Sequence, residues 1–181
     1  MLFRNALAVA SGSLASRYIL GDTFTQFVLE GRDSQDMRRT FLFASFGAVM
    51  GIPAYMFFAE FPQRILIPRV SSKMKLIVSM ICCDAVVFVP LVYLPTFYLF
   101  REAIYSQPSS LGALLASSHG YWKIHVKEDL IAASPLLVST DILMFSAIPP
   151  VWRVPFISTV GMVWVIYISL KRGSSDGNVK G

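Results

Sequence analysis

The sequence of 181 residues predicts an all-α integral membrane protein, a small bundle of four or five transmembrane helices with one interfacial amphipathic helix. Three observations predict it. Hydrophobic residues make up 55% of the chain and mean hydropathy is +0.59, more apolar surface than a soluble domain of this size can hide. Apolar runs of about 20 residues, the length that crosses a hydrocarbon core, recur along it. The run from Met74 to Phe100 also has a carboxylate, Asp84, in its interior. A charge at mid-membrane costs roughly 2.5–3.5 kcal/mol on insertion scales. The helix containing Asp84 therefore belongs at the centre, facing other helices or water.

The first twenty residues contain Arg4, Arg17 and several serines, and no acid precedes Asp22. That composition fits a mitochondrial targeting segment or simply the start of the first membrane helix. The first span is read over residues 6–29. Asp22 and Gln26, four residues apart, share one face of it, and Gly21 permits close backbone approach. A polar loop follows, then a second span over residues 40–61. Gly47 and Gly51 form a GxxxG-like pair for tight helix contact, and Pro53 bends the span. Glu60, near its end, is either a headgroup-level carboxylate or a buried functional one.

Arg64, Arg69, Lys73 and Lys75 make the next loop basic. The third span covers residues 74–100, kinked by Pro90 and Pro95. Its adjacent Cys82 and Cys83 lack metal-ligand spacing and read as small buried apolar residues rather than a disulfide. Residues 109–129 read as the interfacial helix. Leu111, Leu114 and Leu115 recur at helical spacing, and Tyr121 and Trp122 suit headgroup depth. The apolar region 130–170, about 41 residues, is too long for one span. Pro149 to Pro155 breaks it into spans 131–148 and 154–170, with Trp164 as a further interface aromatic. Residues 1–171 thus form a single membrane domain, and 172–181 a polar, disordered tail.

The net charge of +5 points to anionic lipid headgroups as a partner rather than to nucleic acid. Every loop carries basic residues, so orientation stays open. No catalytic constellation, cofactor motif or phosphate loop occurs, and a non-enzyme is expected. His119 and His125, six apart, do not share a helical face and read as solvated or headgroup-level rather than catalytic or metal-binding. Asp22, Gln26, Asp84, Asp141 and Arg153 form the candidate intramembrane polar cluster. Its acids either pair with neighbours such as Gln26 or Arg153 and fix helix register, or they line a polar pathway. A metal site from three carboxylates is a third reading. Gly21, Gly47, Gly51, Pro53, Pro90 and Pro149 are the expected packing and kink positions.

The order of these motifs resembles the Mpv-seventeen / twenty-two-kilodalton peroxisomal membrane protein family. Gly21 to Gln26 is similar to that family's Gly-Asp-x-x-x-Gln, and Asp36 to Thr40 to the charged stretch before its second span. Gly47, Gly51 and Pro53 fall in its Gly-rich region. Asp84, Phe88 and Pro90 match the spacing of its Asp-Gln-x-x-Phe-x-Pro. Trp122, Lys127 and Asp129, then Phe145, Pro149, Arg153, Trp164 and Tyr167 to Ser169, follow its later pattern. The chain departs from that pattern at Ala85, Met144 and Val165, where the family has amides. It departs again at Tyr55, Phe57 and Phe58, and at Ser134-Pro135.

The resemblance implies a small multi-pass protein of the mitochondrial inner membrane, or of the peroxisomal membrane. It implies a weakly selective channel for ions or small metabolites that serves mitochondrial homeostasis. The lost polar groups, with 14 Phe, 7 Tyr and 8 Met, suit an alternative. That alternative is a non-catalytic structural subunit of a larger mitochondrial complex, such as a respiratory or ATP-synthase assembly. Its partners are lipids, further copies of the chain, or other membrane subunits.

Overall fold

Helices form over every expected apolar run, and no strand occurs among the described residues, 2–106 and 108–172 of this computed structural model. Helix α1 is Leu2–Phe24, closed by a wide π turn at Thr25–Leu29. Helix α2, Met37–Tyr55, continues through further π turns to Leu66. Helix α3, Lys73–Cys83, passes through a long π segment, Asp84–Tyr93, into α4, Leu94–Tyr105. Helix α5 is Leu111–Ala147. A 3-10 turn, Pro150–Trp152, leads to α6, Arg153–Val160, and α7, Met162–Arg172. Two of the wide segments contain a proline, Pro62 and Pro90, whose missing N–H interrupts the regular ladder.

Three of these helices are long and apolar enough to cross a membrane: Met37–Leu66, Lys73–Tyr105 and Leu111–Ala147. The C-terminal pair, bent by 49° between Val160 and Met162, makes a fourth if it counts as one span. Two expectations change. The first span, expected at 6–29, folds as a helix but is not among the three. Arg17, Asp22 and the serines of α1 dilute its hydropathy. The interfacial helix at 109–129 is not a separate element. It is continuous with the expected span 131–148 in one helix of 37 residues, and Pro135 does not end it. The expected disordered tail lies, from residue 173 on, outside the described residues.

Local chemistry sets the ends. The Asp36 carboxylate accepts the Arg39 N–H at 3.1 Å and starts α2. The Ser110 hydroxyl accepts the Ala113 N–H at 3.2 Å and starts α5. Gly31, at φ +63°, makes the reversal after α1 that a side chain would resist.

Helices α1 and α2 cross closest where both carry small residues. A Cβ at Gly47 would lie 2.8 Å from the Leu14 carbonyl oxygen and 2.9 Å from the Ala15 Cα. One at Gly51 would run into the Ser11 backbone. Gly21 is as tight against α7, 2.6 Å from Val165 Cγ1. Backbone cannot yield as a side-chain tip can. Gly51→Ala should therefore cost about 1–3 kcal/mol, the overpacking range. Gly120→Ala, with nothing within 4 Å, should gain about 0.5–1 kcal/mol from helix propensity. Thermal unfolding of the two variants in detergent checks the contrast, and equal stabilities would refute the tight crossing.

Beneath that crossing lies an aromatic core. Phe46 of α2 meets Tyr18 of α1 at 5.1 Å between ring centroids, and meets Tyr93 and Phe97 at 5.3 Å each, all edge-on. The cysteines do not join it: Cys82 is exposed and Cys83 half-buried, contrary to the buried reading. Asp84 takes the inward position, and a residue two steps earlier on a helix points to the opposite side.

Candidate functional site

The chain pairs most of its buried acids. Asp22, fully buried, receives four hydrogen bonds. Arg39 Nε and Ser169 Oγ reach one oxygen, both at 2.7 Å. Gln26 Nε2 and Thr40 Oγ1 reach the other, at 2.7 and 2.9 Å. The equally buried Arg39 also donates to Glu30 at 2.8 Å and to the Ser169 carbonyl at 3.1 Å. Asp129 is met by Arg172 at 3.0 Å and by the Tyr98 hydroxyl at 2.5 Å. Glu102 pairs with Arg101 at 2.7 Å and accepts from Ser106 and Ser117. These sets tie α1, α2 and α7 together, and α4, α5 and α7.

Asp84 and Asp141 are different. They stand on the π segment and on α5, each 1% exposed. With Thr140 and Arg17 they line a cavity among α1, α2, α5, α6 and α7. The space open to water-sized molecules there is about 70 Å³. Leu14, Met50 and Leu137 form apolar wall, and Phe58, Phe88, Tyr93 and Trp164 add rings. Neither carboxylate has a hydrogen-bond partner. Thr140 Oγ1 and Arg17 Nε lack one too, although Arg17 Nη1 donates to the Ile157 carbonyl at 2.9 Å. Among the described residues, every buried side-chain polar atom without a partner thus belongs to four residues lining this one cavity. Above it, Trp164 Nε1 donates to the Tyr93 hydroxyl at 2.8 Å, and that hydroxyl bonds to the Tyr18 hydroxyl.

The five residues expected to cluster therefore separate. Asp22 and Gln26 belong to the Arg39 network, Asp84 and Asp141 to the cavity. Arg153 joins neither: its guanidinium donates to the Phe58 carbonyl at 2.9 Å and lies 4.7 Å over the Phe145 ring. Pro62, four residues after Phe58, has no N–H to return to that carbonyl, so the arginine supplies the bond. Among the described residues no three His, Cys, Asp or Glu side chains gather as metal ligands would, which corrects the three-carboxylate reading.

The half-buried aromatics expected at the interface make contacts within the bundle. Trp122 Nε1 donates to the Pro90 carbonyl at 2.9 Å. The Leu94 N–H returns to Val89, one residue wider than an α-helix, so the next in line for Pro90 is Pro95, which has no N–H. Tyr121 packs on Tyr98, with the Arg101 guanidinium 4.3 Å from its ring. Of the kink positions, Pro149 sits at the break between α5 and the 3-10 turn, whereas Pro53 lies within α2.

The sequence reading missed Arg17, Thr140 and Arg39. Thr140 directly precedes Asp141, and that adjacency was its signal. Arg39 follows its capping acid by three residues and was readable only as part of a charged loop. No family model matches the chain, and neither does any curated protein or solved structure.

Proposed function

We propose that the chain is a multi-pass integral membrane protein of an organelle that gives a narrow passage to ions or small polar solutes. Asp84, Asp141, Thr140 and Arg17 would hold the solute midway. The observation that supports this reading is the concentration of unpaired buried polar atoms in one cavity. A buried charge without a partner is destabilising, and inside a membrane such groups mark solute pathways. A chain that pairs Asp22, Asp129 and Glu102 has the means to pair two more, so the empty pair serves something other than helix register. The cavity's inner space of about 70 Å³ takes about two waters at roughly 30 Å³ each. That favours an ion or a compact solute over a nucleotide-sized metabolite. The motif resemblance supports the mitochondrial inner membrane, with the peroxisomal membrane as the alternative.

Purified protein in planar bilayers tests the passage. Wild-type currents should appear, and Asp141→Asn should change conductance or cation-over-anion preference. No wild-type current, or an unchanged variant, contradicts it.

A second reading, a structural subunit of a larger membrane complex, draws on α5. Much of its apolar surface is uncovered, with Ile131, Val138 and Leu143 facing outward. Gentle solubilisation and native gel migration separate the two. Stable comigration with a large assembly supports the subunit, and a free protein or small homo-oligomer sinks it.

A further inference from the structure

We propose that the cavity binds a compact organic monocation, a methylated or primary ammonium, between Asp84 and Asp141. Four kinds of observation converge on that class. The first is charge. Two carboxylates and one guanidinium line the space, a formal sum of −1. One monocation closes that sum, whereas a divalent ion overshoots it. The second is hydrogen-bonding capacity. The four carboxylate oxygens and Thr140 Oγ1 are unpaired, which gives acceptors in excess on the side of the two acids. The Arg17 guanidinium lies in the same wall, with Nη1 already held by Ile157, so repulsion confines a cation to the acid side. The third is the remaining surface. Phe88, Tyr93 and Trp164 present rings to the cavity, and rings attract ammonium groups within about 6 Å of the centroid. Aliphatic wall completes the site, and it suits methyl groups where a bare alkali ion needs oxygen on all sides. The fourth is size. A space of about 70 Å³ suits a compact ammonium and rejects an ion with long alkyl arms.

This site gives a solute class to the passage proposed above and rests on that reading only in making the bound ion the one that crosses. Binding is measured without flux. Binding with no flux sinks the passage and leaves the site; flux with no binding sinks the site.

The probe is trimethylammonium chloride, titrated against the full chain purified in detergent at constant ionic strength, with the rise in melting temperature as readout. A saturable rise is expected, with sodium and potassium at least tenfold weaker. Tetrabutylammonium, too large to enter, should give no rise. tert-Butanol, a neutral molecule of similar shape, should give none either. Asp141→Asn should weaken trimethylammonium at least tenfold, and Thr140→Val a few-fold. If Asp141→Asn does not fold, the wild-type series of ions and alcohol decides alone. Sodium as tight as trimethylammonium, tetrabutylammonium or tert-butanol as effective, or no saturable rise at all, each overturns the proposal.

Discussion

Arg39→Met should lower the stability of the bundle by about 3–5 kcal/mol, the penalty for removing one partner of a buried ion pair. Arg39 and Asp22 are both fully buried, 2.7 Å apart, on α2 and α1. Without the guanidinium, Asp22 keeps Gln26, Thr40 and Ser169 as donors but loses its counter-charge. Glu30 and the Ser169 carbonyl lose a partner as well. Arg39→Lys should not restore the wild type, because one ammonium cannot reach three separated acceptors in a plane. The double variant Arg39→Met, Asp22→Leu should recover much of the loss, because an apolar pair of similar volume leaves no orphaned charge. Thermal unfolding in detergent measures all three. A stable Arg39→Met single variant would mean that the network does not hold α1, α2 and α7 together.

Asp84→Asn should behave in the opposite way. No hydrogen bond or ion pair among the described residues depends on the Asp84 carboxylate. The neutral isostere removes a buried charge at little change in volume, so melting temperature should stay level or rise. The upper bound is roughly the 2.5–3.5 kcal/mol by which a charge is disfavoured at mid-membrane. Conductance in bilayers should change at the same time. A residue whose loss stabilises the fold and alters the activity is one retained for function. If Asp84→Asn is as destabilising as Arg39→Met, Asp84 is a structural anchor, and the passage loses its main support.

Much of the architecture was legible because membrane-length apolar runs signal themselves by composition. The all-helical class, the positions of the three long apolar helices and the tight Gly47 and Gly51 crossing all follow from residue type and spacing. Boundaries set by tertiary context were not legible. The expected interfacial helix and the span after it are one helix, since neither Pro135 nor the charged stretch around Lys127 stops a ladder packed along α4. The break between α6 and α7 at Gly161 has its close fit against Arg17, a contact no local pattern contains.

The site was half legible. Buried acids are rare enough in apolar runs that Asp22, Asp84 and Asp141 stood out singly. Which of them find partners depends on residues far away in sequence. Asp22 finds Arg39 and Ser169, the latter 147 positions along the chain. Asp84 finds only Asp141, of its own sign. The same blindness to distance placed Arg153 among the acids, although its partners are the carbonyls of Phe58 and of Ile148, just past the end of α5.

Solvent access to the cavity from within the membrane tests the central claim most directly. In a chain carrying Cys82→Ser and Cys83→Ser, a cysteine at Thr140 should react with the cationic reagent 2-aminoethyl methanethiosulfonate in intact proteoliposomes. The reaction should be at least tenfold faster than with the anionic 2-sulfonatoethyl analogue. It should also be at least tenfold faster than for Ile142→Cys, whose position is 45% exposed on the outer face of α5. Protection by trimethylammonium would place the ion and the reagent in the same space. A Thr140→Cys chain that folds but reacts with neither reagent would mean a sealed cavity, and would contradict a passage through Asp84 and Asp141.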